Sequence, residues 1–267
     1  MRTHGICYDT GFFNADGSTH EPFIPGQVAR EMRIIHDDLH CDAVRITGGD
    51  VDRLKTAATA AADAGLEVWL CPFTNELPAD ELLELLADCA THAETLRTAG
   101  NEVVLATGSE LSLLLPGLLP GDDFQDRAER LRRARTDGTL PELIGPMRTA
   151  LDRFLDRAVD TVRGRFGGRV TYCGLPLEGI DWSKFDIIAT DAGYPDAGMA
   201  ADATEAIRAF AAQDKFTAIT EFGCATYRGA GDMGARGGEI IEWDEETVTP
   251  VRLTGDHIRD EAEQVTY

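Results

Sequence analysis

Short apolar segments alternate with longer amphipathic segments along most of this 267-residue chain. The short segments are rich in β-branched residues, and the long ones repeat leucine at helical spacing. We predict strands at residues 5–8, 43–47, 66–71, 103–107, 169–173, 186–190 and 217–220, and helices at 27–39, 51–64, 80–99, 146–165 and 202–213. Strands that alternate with helices in this way are typical of a parallel α/β sheet.

The seven strand–helix units favour a single (β/α)-barrel domain over residues 1–267. No linker or change of composition separates the units, so we predict an α/β fold of the (β/α)8 or TIM-barrel type. A doubly wound open sheet is the alternative. The glycine-rich phosphate fingerprint of that fold does not follow the first strand, because Asp9-Thr10-Gly11 is too short to form one.

An eight-stranded barrel needs one more strand and helix than the sequence supplies. Residues 229–267 form an atypical C-terminal segment, with a glycine-rich loop and two apolar stretches at 239–243 and 248–253. The two stretches flank Asp244-Glu245-Glu246, which favours a hairpin. We therefore predict that a regular eighth unit is missing. Either this hairpin or a second copy of the chain would cover the open edge between strands one and seven.

Acidic residues outnumber basic residues by 47 to 25, which gives a net charge of −22. Nucleic-acid grooves and proteins of anionic membrane surfaces need clustered Lys and Arg, so the composition argues against both kinds of partner. No apolar run approaches the ~20 residues of a membrane span. Six dispersed cysteines without a CxxC pair, and an N-terminus without a signal-peptide core, predict a cytoplasmic protein with reduced thiols. Of the six histidines only His36 and His40 are four residues apart and the others are dispersed, so we expect neither a metal nor another cofactor.

Two glutamates, Glu110 and Glu221, each end a predicted strand beside a glycine. Glu110 follows Thr107-Gly108-Ser109, and Glu221 precedes Phe222-Gly223. Strand ends of a parallel barrel meet at one mouth, so both carboxylates are expected to point into it. Carboxyl groups about 5–5.5 Å apart suit a retaining double displacement at a glycosidic bond. The alternative is that each glutamate is a solvated residue where a strand emerges.

Polar and aromatic residues near the strand ends and in the tail are candidate substrate-binding groups. They are Asp9, Arg45, Ser109, Tyr172, Asp191, Tyr194 and Trp243. Arg45 on a buried strand needs a partner, either in a structural ion pair or near Glu221, where it would keep that carboxylate ionised. The tyrosine hydroxyls bind the nucleophile or are satisfied within the packing. Asp9 and Asp191 either bind substrate hydroxyls or are ordinary loop residues.

Four segments carry a resemblance to a known family: Thr107-Gly108-Ser109-Glu110-Leu111, Thr220-Glu221-Phe222-Gly223, Ala43-Val44-Arg45 and residues 186–195. In their order and strand placement they resemble the clan-A retaining glycoside hydrolases, above all the β-mannanase-like barrels. The likeness covers residues 1 to about 228. It implies that Glu110 is the acid/base, that Glu221 is the nucleophile and that Arg45 supports the nucleophile. It also implies that an aromatic residue of 186–195 lies near the site.

Two positions depart from the clan. An asparagine that contacts the sugar 2-hydroxyl usually precedes the acid/base, whereas this chain has Ser109. The clan's eighth strand supplies an aromatic platform, for which Trp243 of the tail is the candidate here. Residues 68–72 also resemble actinobacterial proteins labelled abortive-infection proteins, which share this barrel.

The resemblance implies a retaining glycoside hydrolase, and the absence of a signal-peptide core favours a cytoplasmic enzyme that acts on a small glycoside or glycosylated metabolite. The departures keep two alternatives open. One is a repurposed barrel that catalyses proton transfer or cyclisation in specialised metabolism. The other is a carbohydrate-binding protein with a vestigial site, in keeping with the rule that a fold does not fix a function.

Overall fold

The computed structural model describes residues 3–14, 17–195, 197–198, 200–244 and 250–267. By their internal contacts these residues group into two compact units, Met1–Ala189 and Thr190–Tyr267. The prediction of a single barrel domain stays a prediction.

The described strands are mostly short. They are β1 (Gly5–Asp9), β2 (Phe13–Asn14), β3 (Gly17–Ser18), β4 (Ala43–Gly48), β5 (Glu67–Pro72), β6 (Val103–Ser109), β7 (Arg169–Gly174), β8 (Ile187–Thr190), β9 (Phe216–Ile219), β10 (Ile241–Trp243) and β11 (Pro250–Leu253).

Seven of these strands form one sheet in the order β1-β4-β5-β6-β7-β8-β9. Pairing is parallel from β1 through β7, with Tyr8 opposite Ile46 and Leu70 opposite Leu105. A parallel sheet with a helix between most successive strands is a partial (β/α)8 barrel, which confirms the predicted fold class. Within the described ranges no eighth strand joins this sheet after β9, also as predicted.

Helices connect the strands of the sheet. The α-helices are α1 (Pro25–Arg33), α2 (Val51–Asp63), α3 (Ala79–Thr98), α4 (Leu111–Leu114), α5 (Phe124–Asp137), α6 (Leu140–Arg163), α7 (Ala200–Ala211) and α8 (Ala262–Thr266). A π-helical turn, Ile34–Asp38, continues α1, and 3₁₀ turns form at Pro176–Glu178, Trp182–Lys184 and Gly231–Gly238. Asp50 caps α2 by accepting hydrogen bonds from the N–H groups of Asp52 and Arg53, each at 2.9 Å.

The hydrophobic core of the first unit lies between the sheet and helices α1, α2, α3 and α6. Every residue of β4 and β6 is buried, which explains their nearly continuous apolar sequences. Each leucine buried in such a core stabilises the fold by roughly 1.5–3 kcal/mol. Core residues with no more than 1% of their surface exposed include Leu54, Leu70, Leu86, Leu105 and Leu155.

The second unit begins at the last residue of β8. The N–H of Thr220, directly after β9, donates to the carbonyl of Thr190 at 2.8 Å. The predicted C-terminal hairpin is present, since β10 pairs antiparallel with β11; residues 245–249 between them lie outside the described residues. No helix in the described part of the chain is long and apolar enough to span a membrane.

Candidate active site

Glu110 stands directly after β6, at the first turn of α4. Its φ and ψ of 49° and 34° lie in the left-handed region. A residue other than glycine adopts this backbone conformation at a cost of about 1–3 kcal/mol. Its N–H donates to the carbonyl of Cys173 on β7 at 3.1 Å. The register between β6 and β7 shifts between Ala106 and Ser109, just before it. This irregularity redirects the chain where the sheet ends and leaves the Glu110 side chain half-buried.

Gly108 allows the close turn that precedes Glu110. Its φ of +136° is unfavourable for other residues, and a Cβ there would come within 2.9 Å of a Leu111 methyl group. The predicted pairing of this glycine with a strand-end glutamate therefore has a steric basis.

Arg45 and Ser109 lie together inside the first unit. Arg45 is 5% exposed, and its Nη2 donates to Ser109 Oγ at 2.9 Å and to Cys71 Sγ at 3.5 Å. The Ser109 side chain is completely buried. Its hydroxyl is therefore engaged by the guanidinium, although it was predicted to bind substrate.

Tyr172 is also completely buried. Its hydroxyl donates to Glu178 Oε1 at 2.9 Å and accepts a hydrogen bond from the N–H of Leu111 at 2.8 Å. These contacts favour the second alternative for Tyr172, a hydroxyl that is satisfied within the packing. The hydroxyl contacts the N–H of Leu111, the residue that follows Glu110.

Glu178 was not predicted to belong to the site. Its carboxylate is 1% exposed and accepts hydrogen bonds from the N–H groups of Ser112 and Leu175 at 2.9 and 2.8 Å. Burial raises the pKa of this carboxyl, and the hydrogen bonds from these N–H groups and from Tyr172 oppose that effect. In the sequence it stands in Pro176-Leu177-Glu178-Gly179, which is typical of a solvated turn. No local signal distinguishes it.

Glu221 lies in the second unit, half-buried, two residues after β9. Tyr194 Oη donates to Glu221 Oε2 at 3.3 Å. The Glu221 carbonyl accepts from the N–H of Gly193 at 3.0 Å. The structure thus brings two predicted site residues together and gives the Glu221 carboxylate a phenolic hydrogen-bond donor. Asp191, 1% exposed, lies on the same segment as Tyr194.

Two candidates remain, Asp9 and Trp243. Asp9 is exposed, and its carboxylate accepts from the N–H of Gly11 at 2.8 Å and from the hydroxyl of Thr19. It therefore closes the turn after β1. The Trp243 side chain lies outside the described residues. Over the described ranges, no three His, Cys, Asp or Glu side chains are grouped to hold a metal ion.

Comparison with known proteins identifies the fold. No family model and no curated protein matches the chain. A GH113 β-1,4-mannanase structure matches with 15% identity and a TM-score of 0.59, covering 99% of this chain and 81% of that one. The GH113 β-mannanase AaManA from Alicyclobacillus acidocaldarius, in complex with ManMIm, matches with 15% identity and a TM-score of 0.58, covering 98% and 78%. These likenesses show a glycoside hydrolase-like barrel fold, whereas the resemblance to abortive-infection proteins stays a prediction.

Proposed function

We propose that this protein is a retaining glycoside hydrolase with Glu110 as acid/base and Glu221 as nucleophile. The observation that carries the proposal is the placement of both glutamates within two residues of a strand end in a glycoside hydrolase-like barrel fold. Glu110 would protonate the leaving-group oxygen and later activate water. Glu221, with Tyr194 as its hydrogen-bond donor, would attack the anomeric carbon.

The proposed substrate is a small glycoside or glycosylated metabolite of the cytoplasm. The net charge of −22 supports a neutral or cationic substrate over a polyanionic one, because a like-charged ligand is repelled.

Glutamine at each position tests the two roles separately. Glu221→Gln should lower kcat about 10³-fold or more on every glycoside, since no covalent intermediate can form. Glu110→Gln should lower kcat/KM about 10²–10⁴-fold on glycosides with poor leaving groups and much less on activated aryl glycosides, whose leaving group needs no proton. Added azide should partly restore the Glu110→Gln variant, because it attacks the glycosyl-enzyme without a general base.

Glu142 is an exposed carboxylate on α6, so Glu142→Gln is the matched control and should retain the wild-type kcat. Full activity of Glu221→Gln would reject the nucleophile assignment.

One observation favours the alternative of a repurposed catalyst. The Ser109 hydroxyl, at the position where the clan's asparagine contacts the sugar, is buried and bonded to Arg45. A sugar 2-hydroxyl would therefore miss that contact, which strengthens in glycosidase transition states. Absence of turnover on a broad panel of aryl glycosides, with both glutamates facing one hollow in a crystal structure, would support this second function.

A further inference from the structure

Helix α4 is a single turn of four residues that starts from the strained Glu110. A helix this short satisfies few of its own backbone groups, because its first N–H groups and last carbonyls lack intrahelical partners. A left-handed glutamate persists only where its surroundings over-determine it. The side chains bonded to both ends of α4 therefore decide whether Glu110 stays in place.

Two buried side chains hold the N-terminal end of α4. The N–H of Leu111 donates to Tyr172 Oη at 2.8 Å, and the N–H of Ser112 donates to Glu178 Oε1 at 2.9 Å. Tyr172 donates in turn to that same carboxylate oxygen. The two backbone N–H groups that directly follow Glu110 are thus linked to one buried carboxylate, that of Ser112 directly and that of Leu111 through Tyr172.

Two further residues hold the C-terminal end of α4. Arg127, which is 0% exposed, donates through Nε to the carbonyl of Leu113 at 2.5 Å and pairs through Nη2 with the Glu76 carboxylate. The N–H of Glu76 donates to the carbonyl of Leu114 at 3.1 Å. The C-terminal end of α4 is therefore fixed independently of the contacts at Leu111 and Ser112.

Burying a carboxylate is unfavourable unless it is fully hydrogen-bonded, so an acid at position 178 needs a reason. Its three partners, the N–H groups of Ser112 and Leu175 and the Tyr172 hydroxyl, all donate. Of the side chains of this size, only a carboxylate offers acceptors on both of its terminal atoms. A glutamine would set its NH₂ group against one of the backbone N–H groups.

We propose that Glu178 is a positioning residue, which acts through Tyr172 and the amides of Leu111 and Ser112 to hold Glu110 in the geometry of proton transfer. The proposal rests on the proposed acid/base role of Glu110. Neither Glu178 nor Tyr172 needs to touch substrate, since both are buried.

Glu178→Gln tests this assignment, with Glu67→Gln as the matched control. Glu67 is also a largely buried carboxylate, bonded to Arg169 at 2.8 Å, but it starts β5 and so lies at the opposite end of the strands from Glu110. Both variants should unfold at a lower temperature than wild type. Loss of folded protein alone lowers turnover of all substrates equally. Misplacement of the acid lowers turnover selectively where the leaving group needs a proton.

The ratio of kcat/KM on an alkyl glycoside to kcat/KM on a dinitrophenyl glycoside is therefore the decisive readout, because kcat/KM reports the step in which the leaving group departs. We expect Glu178→Gln to lower this ratio about tenfold or more and Glu67→Gln to leave it unchanged. Tyr172→Phe, which removes only the intermediate hydroxyl, should lower it by a smaller factor. An unchanged ratio in folded Glu178→Gln would overturn the positioning role.

Amide exchange measured by NMR keeps this inference separable from the proposed function. The N–H groups of Leu111 and Ser112 should exchange at least about tenfold faster in Glu178→Gln than in wild type, with no such change in Glu67→Gln. Unchanged exchange would show that Glu178 does not hold the turn. If the wild-type protein is inactive on every glycoside, the acid/base role of Glu110 is rejected. The proposal that Glu178 positions this acid is then rejected as well, whatever the amide exchange rates are.

Discussion

Gly193 leaves no room for a side chain beside the proposed nucleophile. A Cβ there would overlap the carbonyl oxygen of Glu221 and come within 2.9 Å of Ile219 Cγ2. These are backbone and β-branched atoms, which cannot swing away as the end of a flexible side chain can. The absence of one methyl group thus sets where the Glu221 backbone lies.

Gly193→Ala should destabilise the protein by about 1–3 kcal/mol. It should also lower kcat while changing KM less, because the added methyl group displaces the backbone of the nucleophile Glu221. Urea unfolding and steady-state kinetics on an aryl glycoside measure the two effects. Gly238→Ala is the control, since a Cβ at Gly238 meets nothing within 4 Å. Equal stability and activity of both variants would contradict the close approach seen here.

The sequence predicted the strand-end glutamates because a strand end, a glycine and an acid lie within a few residues of one another in each segment. It could not identify Glu178, which resembles any polar residue in a turn. The burial of this side chain depends on α4 lying beside it, and the two segments are separated by more than 60 residues. The sequence could not identify Arg127 either, because the charged residues of α5 are typical of a solvated helix face.

At the scale of elements, the sequence located most helices, but it misplaced some of their ends. The helix predicted at 146–165 is α6, which already begins at Leu140 and passes through Pro146. Proline is favourable in a first turn, so it was interpreted as a start. Near the beginning of a 24-residue helix the loss of one N–H is offset by the packing of the buried face further along, for example at Met147 and Leu151.

Helices α2 and α3 enclose a histidine whose charge they disfavour. His92 on α3 is half-buried, with Nε2 3.1 Å from Thr59 Oγ1 on α2. Burial lowers the pKa of His92. Between its ordinary value of about 6.5 and the lower folded value, the unfolded chain binds more protons than the folded one. The contribution of His92 to stability is therefore complete above this window and is lost as the pH falls through it.

His92→Gln should make the free energy of unfolding less dependent on pH between about 7.5 and 5.5 than it is in wild type. Urea titrations at several pH values measure this difference. Thr91→Gln, at an exposed position of α3 that carries no titratable group, provides the control and should keep the wild-type slope. Parallel curves for wild type and His92→Gln would contradict the inferred effect of burial.

Across the whole molecule, the buried apolar side chains are unevenly distributed. Of those in the described residues, only Tyr227 and Ala230 belong to Thr190–Tyr267, and all others belong to Met1–Ala189. The alternation of strands and helices predicted the parallel barrel fold, because this alternation can be recognised from the periodicity of apolar residues alone. It did not predict this division, since the last two strands of the sheet have apolar sequences like the others.

Hydrogen exchange followed by mass spectrometry should therefore separate the two units. Peptides from β4 to β7 should exchange slowest, and peptides after Thr190 should exchange at least about tenfold faster at matched intrinsic rates. Uniform protection along the chain would show that the second unit shares the stability of the first.

The hydrogen bond between Arg45 and Ser109 also limits how this site can diverge. A larger side chain at the completely buried position 109 would displace the guanidinium or the neighbouring thiol of Cys71. Substitutions at positions 45, 71 and 109 are therefore epistatic. A change from serine to asparagine at position 109 would therefore succeed only together with a replacement at position 45 or 71.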